Sequence, residues 1–259
     1  MLIVLPPSEG KSAPVRGRSL DLTTLGLPGL TPARTRVMDA LVELCAGDAD
    51  DAARRLGLGP TQVELVHRNA GLAAAPTARA DRVYTGVLYD HLDAATLSAA
   101  GKRRAGTRLA VTSSLFGLVR PGDRIPPYRL SGDAVLPGLG PVAGAWRDAL
   151  GPALTGALGA GLLVDLRSTT YASFWRPPAD LAPRVATVRV LHEVAGRRQV
   201  VSHFNKATKG RLVRALLEDG GSPRTPAALA ALLGDLGWSV ETGEATAKGT
   251  RLDVVVREV

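Results

Sequence analysis

Three short runs of apolar residues, far apart in the chain, limit the folds that the chain can adopt. They lie at 2–5, 108–112 and 161–166. Each is too short to cross a membrane, which takes about 20 apolar residues in a helix, and each has the length of a buried strand. Helical patterns separate them. We therefore expect an α/β protein with a mixed β-sheet flanked by helices, and one compact domain over residues 1–259.

The spacing of apolar residues and of turn residues along the rest of the chain predicts the other helices and strands and two long loops. The loops lie at 6–32 and 120–141, and a loop that long inside a compact domain is usually functional. The expected helices are 31–45, 50–56, 60–69, 93–101, 142–158, 168–175, 205–218 and 225–236. An extended piece is expected at 82–86, a hairpin of strands 185–194 and 198–204 across Ala195–Gly196, and final strands at 238–241 and 252–257.

Net charge and cysteine content indicate which partners and which cellular compartment to expect. The net charge is +8, which favours polyanions such as DNA or nucleotides. Cys45 is the one cysteine, so no internal disulfide can form and the cytoplasm is expected. The apolar start lacks the length and the basic flank of a signal peptide, so no membrane association is expected. The four histidines show no metal-ligand spacing, and we expect neither a metal nor a cofactor.

The first candidate site follows the first strand. Loops at the carboxyl ends of strands are where open α/β sheets bind ligands. Ser8 offers a hydroxyl there and Lys11 an amine suited to phosphate. The spacing is not that of a phosphate-binding P-loop, and a plain surface loop remains the alternative.

The second candidate site follows the run at 108–112. It contains Ser113, Arg120, Asp123, Tyr128 and Arg129 among several turn residues. Arginine near aspartate suggests a positioned guanidinium, suited to phosphate or carboxylate. The alternative is a loop held together by an arginine–aspartate pair.

Two further candidates follow later strands. Ser168 and Tyr171 come after the run at 161–166 and are spaced to share a helix face, although Ser168 is equally suited to capping a helix. Lys206, Lys209 and Arg211 are expected near a helix N-terminus, where backbone amides already favour anions. Basic residues there oppose the helix dipole, which favours an anion site over a stabilising role.

A glycine-rich turn between two short helices is the last candidate. Gly57 and Gly59 precede Pro60 there, after two arginines. The segment resembles the hairpin of helix-hairpin-helix modules, whose backbone amides hold a DNA phosphate without reading bases. An ordinary glycine-rich helix end followed by proline is the alternative.

Taken together, the motifs resemble the YaaA family of peroxide stress proteins, also called DUF328 or UPF0246. The matching pieces occur in family order: Leu2–Leu5 with Ser8 and Lys11, Val83–Gly86, Ser113–Asp123, Pro127–Leu130, Leu166–Tyr171, and Ser202–Gly210. The resemblance implies a cytoplasmic protein of the hydrogen-peroxide response, with a basic cleft and a helix-hairpin-helix-like element that binds DNA. Lys209 stands where the family pattern has arginine, and Asp165 where an asparagine can stand.

Two functions therefore remain open. In the first, the protein binds duplex, damaged or bulged DNA and protects it or helps its repair, with phosphate contacts from Arg120, Arg129, Lys206, Lys209, Arg211 and the turn at Gly57 and Gly59. In the second, it is an enzyme acting on a nucleotide, a nucleobase or another small phosphorylated molecule. The catalytic candidates are then Ser8, Lys11, Ser113, Asp123, Tyr128, Ser168 and Tyr171, because a purely electrostatic binder needs neither hydroxyls nor a carboxylate there. A third possibility, iron binding, is not favoured because the sequence shows no cluster of metal ligands.

Overall fold

The computed structural model describes residues 1–194, 197–199 and 201–257. Its strands are β1 (Leu2–Leu5), β2 (Ala78–Arg79), β3 (Leu109–Ser113), β4 (Gly117–Val119), β5 (Arg124–Ile125), β6 (Val135–Leu136), β7 (Gly140–Pro141), β8 (Leu163–Asp165), β9 (Val185–Val194), β10 (Arg197–Gln199), β11 (Ser239–Thr246) and β12 (Gly249–Arg257). Its α-helices are α1 (Thr31–Ala46), α2 (Ala49–Arg55), α3 (Glu64–Ala70), α4 (Ala80–Val83), α5 (Val87–Leu92), α6 (Ala99–Arg108), α7 (Val142–Leu158), α8 (Thr169–Ala172), α9 (Ser202–Asp219) and α10 (Pro226–Asp235).

A mixed eight-stranded sheet forms the centre of the molecule. Its order is β11-β12-β9-β8-β1-β3-β4, with β10 paired to β9. The strands β12, β9, β8, β1 and β3 run parallel, whereas β11, β4 and β10 are antiparallel to their neighbours. The α/β fold expected from the apolar runs is confirmed.

The strand β1 lies in the middle of the sheet and is buried along its whole length. Such continuous apolar strands, rather than alternating ones, are typical of a parallel sheet covered on both faces. Because β3 and β8 pair with the two sides of β1, the loops that follow all three strands leave the sheet at the same edge. We call this the carboxyl edge.

The helices α5 and α9 pack closely beside this edge. A Cβ atom at Gly210 of α9 would lie 2.3 Å from the carbonyl oxygen of Leu88 in α5, so only glycine permits this approach. The side chain of Tyr89, also in α5, donates a hydrogen bond of 2.7 Å to the carbonyl oxygen of Pro6, in the loop after β1. The two helices are thereby held against the first candidate loop.

Three predicted elements are wrong. The extended piece at 82–86 includes the end of α4, and α5 follows it directly; the helix predicted at 93–101 lies instead at 99–108. The second hairpin strand ends at Gln199, and Ser202 already begins α9. The pairing of β9 with β10 confirms the hairpin, although its predicted turn at Ala195–Gly196 lies outside the described residues. For the extended piece and the second hairpin strand, the reason is that a short apolar stretch fits either a strand or one helical turn.

The glycine-rich turn connects α2 to a short 3₁₀ helix and then α3. Gly57 adopts a positive φ of 64°, which favours glycine. The amides of Gly57, Leu58 and Gly59 donate hydrogen bonds within the turn, at 3.1, 2.8 and 3.1 Å. A helix-hairpin-helix module offers such amides to a DNA phosphate, whereas here they donate hydrogen bonds inside the turn. Binding of DNA by this turn therefore stays a prediction. In the described part of the chain, no helix combines the length and apolarity needed to span a membrane.

Candidate functional site at the carboxyl edge

Lys11 stands at the centre of the carboxyl edge. Its amine donates to the carbonyl oxygen of Ser8 at 2.7 Å and lies 4.2 Å from the ring centre of Tyr128. Burial, and then the nearby Arg129 guanidinium, lower the pKa of Lys11 to about 7, whereas Glu9 opposes this shift. An amine with such a pKa is partly neutral near neutral pH and can act as a base or a nucleophile.

Two of the four tyrosines of the chain, Tyr84 and Tyr128, face this lysine. The ring of Tyr84 lies 5.7 Å from the Lys11 amine, and Tyr89 stacks on Tyr84 with ring centres 5.4 Å apart. Burial is the largest cause that raises the pKa of each of the four phenols, including Tyr128 and Tyr171. The phenols therefore stay neutral at physiological pH and remain able to donate hydrogen bonds.

A chain of three buried hydroxyls lies below the lysine. The hydroxyl of Tyr128 is 2.7 Å from that of Ser113 and 3.1 Å from that of Tyr84. The oxygen of Ser113 also accepts a hydrogen bond from the amide of Phe116, at 3.0 Å. This network fixes the ring of Tyr128 under the amine, and Lys11, from the loop after β1, lies over that ring.

Arg129 gives the site a second cation. Its guanidinium pairs with Glu9 at 3.1 Å, and the side chain of Glu9 is 83% exposed. The Nε atom of Arg129 is buried and, among the described residues, has no hydrogen-bond partner. Asn69 of α3 positions the backbone here: its side chain donates to the carbonyl oxygen of Arg129 at 2.7 Å and accepts from its amide at 2.9 Å.

The loop after β8 adds a rigid ion pair and a third cation. Asp165 and Arg167 are buried and paired at 2.7 Å. The amine of Lys209, from α9, donates to the carbonyl oxygen of Leu166 at 3.0 Å. Burial lowers the pKa of Lys209, and the carboxylate of Asp165 opposes this shift.

The structure brings together only part of the predicted site. Ser8, Lys11, Ser113, Tyr128, Tyr171, Arg129 and Lys209 all lie at the carboxyl edge. Ser8 bonds the carbonyl oxygen of Gly10 at 2.6 Å and the amide of Thr85 at 3.1 Å. Its hydroxyl therefore shapes the loop that carries Lys11.

Asp123 and Arg120 lie away from this edge. Because β4 runs antiparallel to β3, the chain has returned to the opposite end of the sheet when it reaches Arg120. The two oxygens of Asp123 accept from the amides of Gly26 and Arg120, both at 2.8 Å. The Arg120 guanidinium donates to the carbonyl oxygen of Thr107. The loop-stabilising alternative fits both residues.

The cations expected at the start of α9 also need correction. Since the helix begins at Ser202, Lys206 and Lys209 lie beyond its first turn, where the helix dipole has little effect. Lys206 and Arg211 are exposed. Ser168 occupies the N-cap position of α8 without a side-chain capping bond, and is exposed.

Sequence reasoning missed several residues of the site. Tyr84 appeared only as part of a motif, and Tyr89, Asn69 and Arg167 were not singled out. The low aromatic content of the chain was the available signal. Aromatic residues make up 4% of it, so the four tyrosines near predicted loops could have been considered together as candidate site residues. The contact from Asn69 spans 60 positions, and no local pattern indicates it.

A cavity of about 390 Å³ adjoins the site. Tyr84 and Tyr89 line it, together with the apolar side chains of Leu109 and Val111, but Lys11 and Tyr128 do not. The convergent polar groups therefore lie at the carboxyl edge rather than in this cavity.

The fold and the site define an α/β protein with a half-buried lysine beside two tyrosines where parallel strands end. Comparison with known proteins gives the family: the model described as Peroxide stress protein YaaA matches residues 1–242. A UPF0246 protein of Streptomyces coelicolor is 53% identical over the full length of both chains. One from Corynebacterium efficiens is 41% identical over 94% of this chain and 96% of its own. The chain belongs to the YaaA family of peroxide stress proteins, which confirms the resemblance of its motifs.

Proposed function

We propose that this peroxide stress protein binds DNA in the cytoplasm and thereby protects it or helps its repair. The observation that carries the proposal is the group of cations on α9. Lys206 and Arg211 are exposed, Lys209 reaches the carboxyl edge, and none of the three forms an ion pair among the described residues. Together with a net charge of +8, free cations suit the phosphate backbone.

A salt series tests this proposal. Anisotropy of fluorescent duplex and bulged DNA is measured for the wild type, for Lys206→Gln/Arg211→Gln, and for Lys248→Gln. Lys248 is a matched control, since it is an exposed lysine in the turn before β12, at the opposite end of the parallel strands. We expect the log–log salt slope to fall by about one for each phosphate contact removed in the α9 variant, and not in the control.

The result can contradict the proposal in two ways. If the two variants lose the same affinity for each charge removed, attraction by net charge alone explains the binding and α9 is not the interface. If the wild type binds no better than an unrelated protein of equal charge, DNA is not its partner.

A second function is favoured by one specific observation: a half-buried amine with a lowered pKa beside the neutral phenols of Tyr84 and Tyr128. A purely electrostatic binder of DNA needs no such arrangement. We infer an enzyme that acts on a nucleotide, a nucleobase or another small phosphorylated molecule, with Lys11 as base or nucleophile and Arg129 holding the anion.

Thermal shift with a panel of nucleotides and sugar phosphates tests this candidate. We expect at least one phosphorylated compound to raise the melting temperature of the wild type. The shift should fall in Arg129→Gln and persist in Lys248→Gln. A panel without effect, or an equal effect on all three proteins, contradicts an anion site at Arg129.

A further inference from the structure

We propose that Lys11 forms an imine with a small phosphorylated aldehyde, which makes it the amine nucleophile of the carboxyl edge. This inference deepens the enzymatic candidate and rests on it. It names both the atom that reacts and the class of molecule that it takes.

The partners of Lys11 favour a nucleophile over a fixed cation. Among the described residues, its amine contacts the carbonyl oxygens of Ser8 and Glu9, at 2.7 and 3.4 Å, and the face of Tyr128, and it forms no ion pair. The carboxylate of Glu9, which opposes the lowering of the Lys11 pKa, is paired with Arg129. A buried ammonium without a carboxylate is costly, so the neutral amine gains population. Lys11 also keeps part of its surface exposed, so a substrate can reach it.

The choice of lysine supports an amine requirement. The chain has few lysines, and arginine supplies most of its positive charge. A guanidinium stays protonated in proteins and cannot attack a carbonyl carbon, whereas a lysine amine of lowered pKa can. At a site that needed only positive charge, arginine would serve.

The anionic part of the substrate follows from Arg129. Its buried Nε atom has no acceptor among the described residues, and its bond to the exposed Glu9 can be exchanged for another anion. A phosphate accepts two parallel hydrogen bonds from a guanidinium. Because burial and then Arg129 lower the pKa of Lys11, the guanidinium proposed to hold the phosphate also increases the neutral fraction of the amine.

The reaction balances without any further reagent. The neutral amine of Lys11 adds to the carbonyl carbon, a C–N bond forms and the carbonyl π pair moves to oxygen. The C–O bond then breaks, and the oxygen leaves as water with the two hydrogens of the amine. A C=N bond remains between Lys11 and the substrate.

Reductive trapping at pH 7 tests the proposal on the full chain. The wild type is treated with glyceraldehyde 3-phosphate and cyanoborohydride, which delivers hydride to the imine carbon, and labelling at each lysine is measured by peptide mass spectrometry. The exposed Lys102, Lys206 and Lys248 are internal references, because an ordinary lysine is almost wholly protonated at this pH. We expect Lys11 to be labelled about tenfold faster or more. Equal or slower labelling at Lys11 overturns the proposal.

A matched pair of aldehydes tests the phosphate. Glyceraldehyde without phosphate should label Lys11 about tenfold more slowly than the phosphorylated form, a difference of 1.4 kcal/mol. Arg129→Gln should remove this preference, and because the guanidinium also lowers the pKa of Lys11, labelling by both aldehydes should become slower in this variant. If the wild type shows no preference for the phosphorylated aldehyde, the substrate class is wrong.

Failure of this inference is distinguishable from failure of the proposed functions. Lys11→Arg keeps a positive charge and cannot form an imine, so it should lose trapping and retain DNA binding. If phosphorylated compounds raise the melting temperature and no label appears at Lys11, the enzyme candidate stands and the imine is refuted. If DNA binding is absent and trapping persists, only the DNA proposal fails.

Discussion

The amine of Lys11 gives the stability of the protein a pH dependence that an ordinary exposed lysine does not give. Its pKa is about 7 in the folded protein, against an ordinary value of 10.5. Between these values the unfolded chain binds more protons than the folded one, so the free energy of unfolding rises with pH across this window. The groups that face Lys11 are Arg129, Glu9 and the neutral phenols of Tyr84 and Tyr128.

We predict that Lys11→Met removes this rise. Urea unfolding of the wild type and the variant at pH 6.5 and pH 9 measures it, with the difference between the two proteins as the readout. The wild type should gain stability relative to the variant as the pH increases. If the difference is independent of pH, Lys11 is an ordinary ammonium in the folded state and the nucleophile loses its support.

Asn69 provides a second test with a single residue. Asn69→Ala removes both hydrogen bonds to the backbone of Arg129 and leaves that amide and carbonyl unpaired. We expect a loss of about 2 kcal/mol or more in unfolding free energy. The control is Gln62→Ala, whose oxygen accepts from an exposed amide and should cost less than about 1 kcal/mol. Equal costs would contradict an anchoring role for Asn69.

At the scale of elements, the approach of α5 to α9 depends on one missing side chain. Gly210→Ala would place a methyl group 2.3 Å from the carbonyl oxygen of Leu88. Overpacking of this kind costs about 1–3 kcal/mol, and separating the helices would also draw Lys209 away from the carboxyl edge. Denaturant unfolding measures the cost.

The control for this change is another helical glycine. A Cβ atom at Gly156 of α7 meets nothing within 4 Å, so Gly156→Ala should stabilise the protein by up to about 1 kcal/mol. If both alanines destabilise equally, helix separation is not the cause.

The same scale shows what the sequence could predict. Apolar runs identified β1, β3 and β8 because buried parallel strands need no alternation. Turn residues located the loops after them, and so Lys11, Ser113 and Tyr171 were found. The short helices α4 and α5 were missed because four to six residues are too few to show a helical period of apolar side chains.

The errors at the site have a different cause. Asp123 and Arg120 follow β3 in the chain, but β4 carries the chain back along the sheet before they appear. The direction of the chain after β3 depends on the antiparallel pairing of β4 with β3. The spacing of residues in the sequence does not show this pairing. Tyr89 and Asn69 likewise reach the site through contacts between elements distant in sequence.

For the whole molecule, one hydrophobic core predicts one unfolding transition. Buried side chains from both faces of the sheet and from its helices form one connected cluster. We expect far-ultraviolet circular dichroism and the fluorescence of Trp146, Trp175 and Trp238 to report the same denaturation midpoint. Two separated midpoints would contradict a single cooperative domain over the chain.

The central position of β1 has a consequence for synthesis. This strand leaves the ribosome before its partners β3 and β8, which are completed only at Ser113 and Asp165. At about 5–20 residues per second, the nascent chain carries an unpaired apolar strand for many seconds. The middle of the sheet is therefore assembled late, and until then the unpaired apolar strand exposes the new chain to aggregation.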